Sequence, residues 1–170
     1  SLNVESFSYM PGMGFGTAAT ALVGQRLGAK DPVGAEKRAL FAIRMGLLSM
    51  GTMGVLFFLF PAQFLSIFTE DAGVIAKGIP LLRIVAFTQF PEAMGMVIPG
   101  ALRGAGDTRI SAFVTVFGAW VVRCGLTYIL MNLLHVGLTA AWIAMFMDWV
   151  VRATLYWIRF KRGAWKTIKV

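Results

Sequence analysis

The sequence is poor in cysteine, histidine and charge. Only 14% of its 170 residues are charged, against about 25% in an ordinary soluble domain. The single cysteine, Cys124, excludes an intrachain disulfide. With His135 as its one histidine, the chain has no metal-ligand spacing and no cluster of catalytic groups. The expectation is therefore a protein that is not an enzyme and has neither a resident metal nor a cofactor. Acidic residues are scarce too: eight Asp and Glu face sixteen Lys and Arg, a net charge of +8. In a soluble domain that excess would point to nucleic acid. Here its sidedness accounts for it, and no nucleic-acid partner is expected.

Apolar residues are abundant, at 58% of the chain, with a mean hydropathy of +0.73. Three stretches carry no charge at all: Ser6 to Gln25 (20 residues), Met45 to Thr69 (25) and Cys124 to Met147 (24). About 20 mostly apolar residues cross a bilayer core as a helix. The runs are too long for barrel strands and do not alternate. The reading is an all-α integral membrane protein with five transmembrane helices, at about 6–27, 40–61, 79–102, 110–132 and 138–159, and a basic tail over 160–170. The chain opens at Ser1 straight into an apolar run with no basic leader, so a piece of a longer protein is expected.

The stretch from Pro99 to Thr108 organises this arrangement. Gly100 and Gly104 share a helical face and admit a second backbone. Arg103 marks the membrane edge, Gly106 and Asp107 turn the chain, and Thr108 is placed to cap the next helix. Gly12, Gly16, Gly24 and Gly28 form two further Gly-xxx-Gly pairs for helix packing in the first span. Pro11 is expected to kink that span. A loop is expected from Arg26 to Arg38, and an interfacial segment over Phe64 to Phe68 followed by an N-cap at Thr69 or Asp71. Cys124 reads as a small buried hydrophobe, His135 as an interfacial loop residue, and Trp157 and Trp165 as interfacial aromatics.

Orientation follows from the loops. Arg26, Lys30, Lys37, Arg38, Arg103, Arg109, Arg159, Lys161, Arg162, Lys166 and Lys169 fall on one side, and Lys77 alone on the other. The positive-inside rule makes the first side, with the tail, cytoplasmic in a plasma (bacterial inner) membrane.

Order and spacing over nearly the whole chain resemble the multidrug and toxic compound extrusion (MATE) transporters. The matching words are Phe7 to Gly12, Ala21 to Ala29, Gly100 to Thr108, Asp148 to Arg152 and Arg159 to Lys166. The resemblance implies twelve helices in two six-helix lobes, of which this chain is most of the C-terminal one, from the eighth helix onward. It implies a secondary antiporter that exports organic cations, drugs or other xenobiotics in exchange for sodium or protons. Its partners would be the bilayer and the N-terminal lobe of the same protein. A flippase for lipid-linked precursors, from the same superfamily, is the alternative.

Ionisable residues inside spans are costly and often functional. Measured from the outer edge at about 1.5 Å per residue, Arg123 lies roughly 14 Å and Asp148 roughly 15 Å deep. Arg152 is one turn below Asp148, and the three are expected to form structural ion pairs. Glu92 lies roughly 20 Å deep, between Pro91 and Pro99 in a span that also holds Pro80. Thr88, Gln89 and Met96 share its face. Glu92 is thus the candidate cation- or proton-coupling residue, with those three as neighbours of substrate or cation. The competing reading pairs Glu92 with Arg152. The resemblance adds that some MATE branches carry an acidic cation-site residue ten positions before the Leu of the Leu-Arg-Gly turn, and Glu92 stands ten before Leu102.

Overall fold

The computed structural model describes residues 2–132 and 139–167; His135 and the last residues of the tail lie outside these. The chain is a helical bundle. Its elements are α1 (Leu2–Gly28), α2 (Pro32–Leu59), α3 (Pro61–Ser66), α4 (Ala72–Gly104), α5 (Thr108–Phe117), a π segment (Gly118–Cys124), α6 (Gly125–Asn132), α7 (Thr139–Lys161) and a 3-10 turn (Ala164–Thr167). Three helices are long and apolar enough to cross a membrane by those criteria alone: Pro32–Leu59, Ala72–Gly104 and Thr108–Asn132. α1 and α7, at 27 and 23 residues, also reach that length.

The helices begin where capping chemistry allows. The Asp31 side chain accepts from the Gly34 amide at 2.8 Å, with Pro32 at the first position, so α2 starts well before residue 40. The expected loop from Arg26 to Arg38 shrinks to residues 29–31. Asp71, not Thr69, caps α4, accepting from Gly73 and Val74 at 2.8 and 3.2 Å. α4 therefore starts seven residues before the expected span edge. The turn between α4 and α5 places Gly106 at φ 82°, a backbone shape that favours glycine. Asp107, not Thr108, is the N-cap residue of α5, and its carboxylate accepts from Arg159 of α7 at 2.8 Å instead of capping.

α4 is the central helix and packs against α1, α2 and α7. The α1–α4 crossing is close because glycines make it. A β-carbon on Gly100 would land on the Gly16 backbone and one on Gly104 on the Thr20 backbone. One on Gly16 would lie 2.9 Å from the Met96 carbonyl, and one on Gly24 3.3 Å from the Gly104 carbonyl. The Thr20 hydroxyl donates to the Gly100 carbonyl at 2.8 Å across this crossing. Gly12 faces the thioethers of Met96 and Met50. Gly28 corrects the expectation: it is exposed, with open space where a side chain would go, although its neighbour Leu27 still packs against the first core.

Two apolar cores result. One, rich in small residues, joins Ala19, Val23, Ala39, Ile43, Ile98, Leu102, Tyr156 and Phe160. The other joins Phe57, Leu65, Leu82, Val85 and Ala86. Trp165 packs into the first core rather than lying open on the surface. It is 1% exposed, stacks on Phe160 at 5.2 Å and donates its indole N–H to the Phe160 carbonyl. Leu65 of α3 is likewise buried, so that segment is tied to the second core. Cys124 is exposed, contrary to the buried reading, on a span whose residues are mostly exposed.

Candidate functional site

Between the two cores, α4 and α7 carry a belt of buried polar residues. On α4, residues 82–86 belong to one core and residues 97–105 to the other. Thr88, Gln89 and Glu92 fill the interval, at 0, 0 and 1% exposure. On α7, Trp142 and Met145 pack against one core and Tyr156 and Phe160 belong to the other, with Asp148 and Arg152 between them. Keeping ionisable side chains at mid-bundle is costly, and the cost concentrates on residues with a task.

The Gln89 amide nitrogen stands 3.5 Å from the Glu92 carboxylate. Thr88 shares the face, but its hydroxyl donates to the Ile84 carbonyl one turn back at 3.0 Å, leaving only lone pairs to offer outward. Met96 packs against Gly12 and Gly16 of α1. α4 runs as one helix through Pro80, Pro91 and Pro99 and does not break. Each proline lacks an N–H, so the Phe87 and Gly95 carbonyls lose their helical donors. The Phe87 and Gly95 oxygens lie before and after Glu92 in sequence.

Asp148 is fully buried and lies between two guanidinium groups. Arg152 donates to it through two nitrogens at 2.6 and 2.7 Å. Arg123 approaches to 3.2 Å from the other side and is 40% exposed. Arg152 is thus forked on Asp148, and its face also covers the Trp149 ring at 5.3 Å. Gly118 makes room, since a β-carbon there would strike both Arg152 and Asp148. Sequence reasoning missed the π segment that carries Arg123. Its signal is faint: an arginine between two glycines, Gly118 and Gly125, inside an otherwise apolar run. Also missed was the Tyr156–Thr115 hydroxyl pair at 2.8 Å, with Tyr156 also donating to the Ser111 carbonyl at 2.9 Å.

A cavity of about 240 Å³ opens one turn along α4 from Glu92. Gly95, Met96 and Pro99 form its floor, Tyr9 and Thr17 of α1 one wall, Ser111 and Thr115 of α5 another, and Trp149 and Arg152 a third. Arg103 stands among its lining residues, and Glu92 does not. Among the described residues no three His, Cys, Asp or Glu side chains cluster to hold a metal ion.

The family model described as MatE matches residues 1–129. The chain belongs to the MatE family. It is 35% identical over 169 residues to a probable multidrug resistance protein NorM of Thermotoga maritima, covering 97% of this chain and 36% of that protein. A protein of the same description from Mannheimia succiniciproducens is 36% identical over 163 residues, 94% of this chain and 35% of its own length. The chain thus spans about a third of these relatives. The fold is shared with the crystal structure of the eukaryotic MATE transporter AtDTX14, at a TM-score of 0.90 and 21% identity over 97% of this chain and 37% of that one. The membrane setting read from the apolar runs follows from this membership.

Proposed function

We propose that this MatE chain is most of the C-terminal lobe of a secondary antiporter that exports organic cations, drugs or other xenobiotics against sodium or protons. The observation that carries the reading is Glu92, a carboxylate 1% exposed at mid-bundle on a proline-bearing helix, one turn from a cavity. Glu92 holds the coupling ion, with Gln89 and the freed α4 carbonyls as its setting; cargo occupies the cavity and reaches Met96. Asp148 with its two arginines holds α7 to the π segment and is structural. The names of the NorM relatives support the efflux reading. The basic loops and tail face the cytoplasm of a bacterial inner membrane, and the N-terminal lobe of the same protein completes the transport path.

The test is efflux by the full-length protein in an efflux-deficient host, with sodium and proton gradients collapsed in turn. Glu92→Gln abolishes ion-driven efflux at normal expression, and Glu92→Asp keeps part of it. Wild-type efflux by Glu92→Gln that still responds to the gradient would move coupling out of this lobe. A flippase for lipid-linked precursors is the second reading, favoured by one feature: both formally charged residues lining the cavity are arginines, Arg103 and Arg152. Competition of an anionic lipid-linked substrate with drug efflux separates the two.

A further inference from the structure

A second groove lies between α2 and α4, apart from the cavity. Its volume is about 220 Å³ and every residue lining it is apolar. Small residues make its floor: Gly54, whose β-carbon would lie 2.7 Å from the Ala86 carbonyl, and Ala86 itself. Val55, Phe58, Phe87 and Phe90 stand up around that floor and are all exposed. Phe58 and Phe87 meet edge to face at 5.6 Å. In a membrane helix pair, such a slot presents a smooth apolar trough to lipid.

One end of the trough is charged. The Arg83 guanidinium lies over the Phe58 ring at 5.7 Å, close to the end of α2 at Leu59. Arg83 is exposed, and among the described residues no carboxylate lies within ion-pair distance of it. A guanidinium held against an aromatic ring at a membrane edge keeps its N–H donors free for an anionic oxygen. From Arg83 to Phe90 the helix rises about 10 Å, roughly two-thirds of the ~15 Å that one leaflet occupies in a hydrocarbon core.

We propose that this groove binds one phospholipid, with an acyl chain in the trough between Phe58, Phe87 and Phe90 and its phosphate on Arg83. The shape and the charge ask for different parts of the same molecule. A sterol or hydrocarbon would leave Arg83 unused, and free phosphate would leave the trough unused. A bound lipid fills the slot that Gly54 and Ala86 leave in the α2–α4 seam, acting there as a third packing partner.

The full-length protein is reconstituted in vesicles containing trace phosphatidylglycerol with a diazirine on one acyl chain. After photolysis the labelled residues are mapped by mass spectrometry, with exposed Ile158 of α7 as the reference for ordinary lipid contact. Labelling is expected to concentrate on Val55, Phe87 and Phe90. A diacylglycerol probe with identical chains, or Arg83→Gln with the phospholipid probe, is expected to cut it about tenfold, the effect of one charge-assisted contact. Arg83→Lys retains most of it. Val55→Trp, which fills the trough from an exposed position, removes it without changing the Ile158 reference. Glycerol phosphate added in excess leaves it unchanged. Groove labelling no stronger than at Ile158, equal labelling by phospholipid and diacylglycerol, no effect of Arg83→Gln or Val55→Trp, or displacement by glycerol phosphate would each overturn the proposal.

Discussion

Replacing Asp148 by asparagine tests how the buried belt is held together. Asp148 has no exposure, and Arg152, which forks onto it at 2.6 and 2.7 Å, is 8% exposed. Arg123 touches the same carboxylate at 3.2 Å but is 40% exposed. Asp148→Asn leaves Arg152 as a buried cation without its counter-charge, at a cost of about 3–5 kcal/mol. Arg152→Gln strands Asp148 to a similar degree, although Arg123 still screens it. Arg123→Gln removes one of the carboxylate's two counter-charges but leaves the Arg152 fork in place, so it should cost less than Asp148→Asn. Double-mutant cycles should therefore give a coupling of about 2 kcal/mol or more for Arg152, which makes two hydrogen bonds to Asp148, and a smaller one for Arg123 with Asp148. Folding of the purified full-length protein is measured by denaturant titration in mixed micelles, with expression followed by size-exclusion chromatography. The reasoning fails if Asp148→Asn stays within about 1 kcal/mol of wild type, or if Arg123 couples to Asp148 more strongly than Arg152 does.

Three other outcomes are expected. Gly100→Ala should destabilise by about 1–3 kcal/mol in the same titration, because its methyl lands on the Gly16 backbone and neither helix can yield. Gly28→Ala, into open space, should be neutral within about 0.5 kcal/mol, and a large loss there would contradict the packing described. For topology, Cys124 is first replaced by Ser, since it is exposed and would report by itself. An impermeant thiol reagent on whole cells should then label Glu70→Cys and spare Lys37→Cys; the opposite pattern reverses the orientation. Residues 1–170 reconstituted alone should show no vectorial transport, since alternating access needs two halves moving about a central site.

Much of the fold was legible in the sequence, because apolar run length and glycine spacing carry physical meaning in a membrane. Gly16, Gly24, Gly100 and Gly104 lie where a second backbone comes close, and Gly12 where the Met50 and Met96 side chains do. The misreadings arise in two ways: a local signal that finds no partner, or one overridden by a distant partner. Gly28 has the right spacing but meets open space, and Trp165 has an interfacial composition but folds back onto Phe160. Asp107 looks like a helix cap but is drawn away by Arg159, 52 residues on. The end of the chain is tied the same way, with Lys166 on Glu36, 130 residues earlier, at 2.7 Å. No period or spacing announces a pairing between charges so far apart in the chain.

On the function proposed above, the separation of Glu92 from the cavity lining bears on how exchange would work in this lobe. A cation on Glu92 and a cargo molecule in the cavity do not share a wall: the cavity floor begins at Gly95 and Met96, the next turn of the same helix. Direct displacement of one by the other is therefore less suited to this geometry than coupling through α4. Met96 is the element both can move. It shares a face with Glu92, touches Gly12 and Gly16 of α1, and lines the cavity. Its unbranched thioether can change rotamer without a change of backbone. Around it, Gly95 contacts the Trp149 ring at less than 3 Å from where a β-carbon would stand, so α7 feels the same turn. A shift of α4 by a fraction of a turn would then move Glu92 and reshape the cavity floor together. On this view the prolines at 91 and 99 matter twice. They free the carbonyls on each side of the carboxylate, and they remove the two backbone hydrogen bonds that would otherwise hold that stretch of α4 rigid.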